Sequence, residues 1–109
     1  MMYVDFNAGG KAYKLRLNTR TTIALEKQLG CNPLSIFGEG DTMPTITTLV
    51  HVLYCSLLSL QHNIGLEDAY DIFDAYLADG NSATEFLSVV IDVFKVSGII
   101  KADKVSEKN

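Results

Sequence analysis

The feature that most constrains this chain is an apolar run at helical spacing from Thr45 to about Gln61. Pro44 suits its first turn, with Asp41 or Thr42 as the N-cap. A surface helix has an apolar stripe on one side only. Here the apolar residues cover most of the circumference: Ile46, Leu49, Val50, Val52, Leu53, Tyr54, Leu57, Leu58 and Leu60. We therefore predict a central helix that other elements surround.

An antiparallel β-hairpin is predicted at the N-terminus. Residues 3–7 and 11–17 alternate apolar and polar side chains, as half-buried strands do. Between them lie Gly9 and Gly10, which tolerate the positive φ angles of a tight hairpin turn.

Helix-end signals place the remaining helices. Asn18 or Thr19 can cap a helix that Gly30 ends, and Ser82 with Glu85 forms a capping box. The predicted segments are 20–29, a short turn over 33–37, 66–79 and 83–97. The fold class is thus α+β, mainly α: a short N-terminal hairpin followed by four to five helices packed as a small bundle.

Length and composition fit one such domain. The chain has 109 residues, of which 48% are hydrophobic and 20% charged, as in globular proteins. We predict a single globular domain over 1–100 and a charged, flexible tail over 101–109. Two cysteines are too few for a disulfide framework, and we find neither a signal peptide nor a membrane span. The expected location is the cytoplasm.

Charge is distributed unevenly along the chain. Residues 1–30 carry a net charge of +3, residues 31–94 carry −9 without any Lys or Arg, and residues 95–109 carry +2. Phosphates would be repelled by most of this surface, so we expect no nucleic-acid binding. The asymmetry suits head-to-tail self-association or a basic protein partner. A merely solvated surface is the alternative.

Four polar side chains share one face of the central helix: His51, Cys55, Ser59 and His62. As a metal site they would lack a fourth ligand and extend over three turns. As a Cys–His nucleophile they would place the thiol in mid-helix, away from groups that lower its pKa. We therefore interpret the stripe as the less buried face of a core helix.

A second polar series, Asp68, Asp71 and Asp74, lacks the alternating spacing of an EF-hand loop. Gly9-Gly10 lacks the pattern of a phosphate-binding loop. We predict no catalytic residue, no metal site and no cofactor, and hence no enzyme.

One segment resembles a known family. Residues 13–20, 24–30 and 32–34 read YKLRLNTR, ALEKQLG and NPL. They are similar to the opening of the tail assembly chaperones of long-tailed siphophages that infect Gram-positive bacteria. There, a short strand pair leads into a helix with a Leu-Glu-x-x-Leu-Gly pattern, followed by Asn-Pro-Leu. The resemblance covers the first third of the chain.

The resemblance implies a binding role. Proteins of this family coat the tape measure protein, a long, helical, aggregation-prone chain, and keep it soluble until tail-tube subunits polymerise around it. They act in the host cell cytoplasm and are absent from the mature virion. Many also exist as a longer, frameshifted form.

A coat for an amphipathic helix needs exposed apolar side chains. Helices 45–61 and 83–97 have the narrowest polar stripes, so they are the best suppliers. We predict partner binding by Leu57, Leu60, Val89, Val93, Phe94 and Val96, together with Tyr70 and Tyr76. The alternative is that each of these side chains belongs to the core.

Covering a long helix also requires many copies. We predict self-association through basic side chains on one copy and acidic ones on the next. The residues are Lys11, Lys14 and Arg16 against Asp68, Asp71 and Asp74. Such a heterologous contact would produce open oligomers.

Two other roles stay open. A structural phage tail or connector subunit would be found in purified virions. A small regulatory adaptor that binds DNA would shift DNA in a gel, but helices 20–29 and 33–37 lack a basic recognition face.

Overall fold

The computed structural model describes residues 3–37 and 43–101. Its elements are β1 (Val4–Ala8), β2 (Lys11–Leu15), α1 (Thr19–Leu29), a 3₁₀ helix (Pro33–Phe37), α2 (Ile46–Leu58), α3 (Leu66–Ala78) and α4 (Ala83–Val96). The predicted class is confirmed: an antiparallel two-stranded hairpin precedes four α-helices. Beyond Lys101, the predicted tail lies outside the described residues.

The hairpin closes where the glycine pair predicted it. Val4 pairs with Leu15, and the turn glycines have φ angles of 60° at Gly9 and 80° at Gly10. The turn is also held from outside, because the Gly9 amide donates to Asp79 Oδ2 at 2.9 Å. The hairpin contacts α3 and α4 through β1.

At three helix ends, the observed caps are the ones that the sequence predicted. The Asn18 side chain accepts from the Thr21 amide, Gly30 ends α1 with φ 71°, and Ser82 forms the capping box of α4 with Glu85.

The start of α2 differs from the prediction. Its N-cap is Thr45, whose hydroxyl oxygen accepts from the Thr48 amide at 3.1 Å. Asp41 and Thr42 are not the cap, and they lie outside the described residues. Pro44 therefore precedes the helix instead of occupying its first turn.

Helix α2 is the central element, as predicted. It contacts α1, α3, α4 and β2, and it is buried almost all round between Leu49 and Leu57. The helix ends at Leu58, before Gln61. Just beyond that end, the Ser59 hydroxyl donates to the Arg16 carbonyl, and the Arg16 amide donates to the Ser56 carbonyl at 3.1 Å. The end of α2 thus holds the chain that leaves β2.

An aromatic cluster fixes the hairpin to α3 and α4. It consists of Phe6, Phe73, Tyr76 and Phe86. The Phe86 ring lies 5.6 Å from Phe6 and 5.3 Å from Phe73, both edge to face, which is a favourable aromatic geometry. Each of the three elements therefore contributes to one aromatic core.

Candidate partner-binding surface

Four of the eight predicted partner-binding side chains lie in the core. Leu57 and Phe94 are fully buried, Val93 is 1% exposed and Tyr76 is 7% exposed. The prediction that these four bind a partner is wrong for the folded chain. Leu57 on α2, Tyr76 on α3, and Val93 and Phe94 on α4 all belong to one hydrophobic core.

The other four predicted side chains are at least partly accessible. Leu60 is 43% exposed and Tyr70 is 42% exposed. Val89 is half-buried against the core, and Val96 is half-buried beside the N-terminal strand.

Ile46 belongs to the apolar series of the central helix, yet its side chain is 51% exposed. Met43, just before the helix, is 40% exposed, and Leu77 on α3 is 37% exposed. The position of Ile46 in the first turn, directly after the N-cap Thr45, is the sequence feature that goes with this exposure.

Ile46 and Tyr70 border one groove between α2 and α3, which we call the α2–α3 groove. Its volume is about 410 Å³, and its lining residues are Ile46, Thr47, Val50, His51, Tyr70, Phe73 and Asp74. The apolar lining comes from both helices, while Asp74 lies exposed at the margin. The groove can therefore take an apolar side chain with a charged group beside it.

A second hollow, of about 270 Å³, lies on the other side of the start of α2. Its apolar lining is Leu29, Ile36, Met43 and Pro44, and its polar lining is Cys31, Ser35, Thr45 and Thr48. The first turn of α2 is thus flanked by two partly apolar depressions.

His51 brings a polar group into the α2–α3 groove. Its side chain is 9% exposed, and Nδ1 lies 2.8 Å from the Thr47 carbonyl oxygen. A carbonyl can only accept, so Nδ1 carries the hydrogen and Nε2 of a neutral ring is an acceptor. Within residues 3–37 and 43–101, Nε2 has no hydrogen-bond partner.

Cys55 is enclosed in the core, so the stripe from His51 to His62 is not the less buried face of α2. That interpretation is wrong, because His51 is also nearly buried and only His62 at the far end is exposed. Burial raises the pKa of the Cys55 thiol from 9.0 to about 11, which keeps it protonated at neutral pH. A thiolate nucleophile at this position is thereby excluded. Among the described residues, no three His, Cys, Asp or Glu side chains are grouped to hold a metal.

The two cysteines should react very differently with a thiol reagent at pH 8. Cys31 is exposed and Cys55 is fully buried with a raised pKa. We expect one thiol to react at once and the other at least about 100-fold more slowly, because its reaction needs local opening. Absorbance of released thionitrobenzoate measures both phases. The Cys31→Ser variant should lose the fast phase, and two fast equivalents in the wild type would contradict the burial of Cys55.

Three of the six residues predicted for self-association have partners within one molecule. Nη1 of Arg16 donates to the Val96 carbonyl at 3.2 Å, and the Lys14 ammonium lies 4.9 Å from the centre of the Tyr3 ring. Asp68 Oδ2 accepts from the Gly65 amide at 2.8 Å.

Lys11, Asp68 and Asp71 line the same surface hollow, of about 380 Å³. The basic strand and the acidic side of α3 are therefore neighbours on one copy. A head-to-tail contact between these groups would have to displace internal interactions. Self-association stays a prediction.

No protein-family model, curated protein or solved structure matches this chain. Among the described residues, no helix combines the length and apolar character needed to cross a bilayer.

Proposed function

We propose that this protein is a siphophage tail assembly chaperone, which binds helical segments of the tape measure protein in the host cytoplasm and is absent from the finished virion. The observation that carries the proposal is the α2–α3 groove. Ile46 and Tyr70, both large apolar residues and both more than 40% exposed, border a depression that mixes apolar and polar lining side chains.

The size and position of the groove support helix recognition. A volume of about 410 Å³ accommodates a large apolar side chain, and a second hollow of about 270 Å³ lies across the first turn of α2. Helix-in-groove recognition uses anchors spaced by three or four residues on one face of the bound helix. The α2–α3 groove provides a place for one such anchor.

The distribution of apolar surface supports a binding role over a purely structural one. Isolated exposed apolar residues are normal in monomers, whereas grouped ones mark interaction sites. Met43 and Ile46 lie within one turn of the start of α2, and Tyr70 and Leu77 lie two turns apart on α3.

Co-expression with a tape measure protein tests the proposal. We expect the soluble fraction of the tape measure protein to rise several-fold, and the two proteins to copurify. Purified virions should lack this protein. An insoluble tape measure protein in its presence, or stoichiometric amounts in virions, would contradict the chaperone role and favour a structural tail subunit.

A further inference from the structure

We propose that the α2–α3 groove selects helices that carry basic side chains beside their apolar face, and so discriminates by charge among amphipathic helices. This inference rests on the proposed function, because it specifies the partner of the same groove. It names the chemistry of the bound segment: an apolar anchor flanked by Lys or Arg.

Every charged side chain on the two helices that form the groove is acidic. Both helices that form it belong to residues 31–94, which contain no Lys or Arg. On α3, Glu67 and Asp74 are exposed and lie three residues before and four residues after Tyr70. That spacing places both carboxylates beside the Tyr70 ring on one side of the helix.

The other two acidic side chains of α3 line a different hollow. Asp68 accepts a hydrogen bond from the Gly65 amide and, with Asp71, lines the hollow that contains Lys11. Glu67 and Asp74 lie away from that basic residue. Their charge is therefore available to a partner.

His51 also favours a basic partner, because it offers a hydrogen-bond acceptor. With Nδ1 donating to Thr47, Nε2 of the neutral ring offers an acceptor in the lining of the groove. A lysine or arginine side chain only donates hydrogen bonds, so it satisfies both this acceptor and the neighbouring carboxylate. A glutamate in the same place would meet repulsion from Asp74 and find no donor at Nε2.

Two synthetic peptides of about 18 residues test the charge preference. Both have leucines on one helical face, and the flanking positions are lysine in one peptide and glutamate in the other. Fluorescence anisotropy at low salt measures both dissociation constants. We expect the lysine peptide to bind about 10-fold more tightly or better, and most of the difference to vanish near 0.5 M salt.

A matched pair of charge reversals locates the effect. Asp74→Lys and Asp92→Lys change the net charge equally, and both residues are exposed, but Asp92 lies on α4 outside the groove. We expect Asp74→Lys to weaken lysine-peptide binding by about 3- to 10-fold and Asp92→Lys to leave it nearly unchanged. Equal effects of the two variants, or equal affinity for the two peptides, would overturn the proposal.

The groove could instead bind a second copy of this chain. Ile46→Ser would then shift the sedimentation of the free protein and leave peptide affinity unchanged, which would also overturn the proposal. The charge preference of the groove and the chaperone role can fail independently, and the experiments tell the two failures apart. If the chain solubilises the tape measure protein without any peptide charge preference, only the partner chemistry is wrong. If the charge preference holds but solubilisation fails, the chaperone role is wrong.

Discussion

Replacing Phe86 with alanine should cost about 3–5 kcal/mol of folding free energy, the largest stability effect expected of a single substitution here. Phe86 is 1% exposed and packs against Phe6, Phe73 and Tyr76. Its removal leaves a cavity at the meeting point of the hairpin, α3 and α4. A domain of this size has a total stability of roughly 5–15 kcal/mol, so the variant should be marginal.

Urea unfolding followed by circular dichroism measures the loss. Phe86→Leu fills most of the space and should cost clearly less. Leu77→Ala, at a position that is 37% exposed, should cost under about 1 kcal/mol. A loss below about 1 kcal/mol in Phe86→Ala would mean that the aromatic cluster does not hold the hairpin to the helices.

Under the proposed function, replacing Ile46 with serine should remove most of the solubilising effect on a coexpressed tape measure protein. The side chain is 51% exposed, so the fold loses little, while the groove loses one of its two exposed apolar borders. Interface anchors of this kind often contribute 2 kcal/mol or more, roughly a 30-fold loss of affinity. The soluble fraction of the coexpressed tape measure protein is the measurement.

Ile23→Ser is the matched control. Ile23 is the same residue type and 45% exposed, but it lies on α1 in a separate hollow with Arg20 and Lys27. We expect the soluble fraction of the tape measure protein to be the same with Ile23→Ser as with the wild-type chain. If Ile23→Ser abolishes solubilisation and Ile46→Ser does not, the partner binds α1 and the groove assignment is wrong.

The secondary structure was largely predictable because its determinants are local. The cap at Asn18, the left-handed Gly30 and the glycine pair of the hairpin each act on residues within one turn. Alternation in the strands and the apolar circumference of α2 then identified the elements that share a core. The bounds of α2 differ at both ends, since its N-cap is Thr45 and its last residue is Leu58.

The binding surface was less predictable because burial depends on where neighbouring elements end. Helical spacing marked Ile46 and Leu57 as members of one apolar helix, and the two look alike in sequence. The structure leaves Ile46 half exposed and encloses Leu57 completely. Which residues of an apolar helix are enclosed is set by contacts with elements that are distant in the chain.

Local signals in the sequence determined the hairpin, the helices and the central position of α2. Only tertiary packing decided that His51, Cys55 and Ser56 are buried while Tyr70 is not. His51 Nδ1 and the Ser56 hydroxyl each donate to a carbonyl of their own helix, at 2.8 Å and 2.6 Å. Burial of a polar side chain costs little once such a bond is made. Helical spacing therefore predicted the polar stripe from His51 to His62. The packing around α2 determined which of its side chains are exposed to solvent.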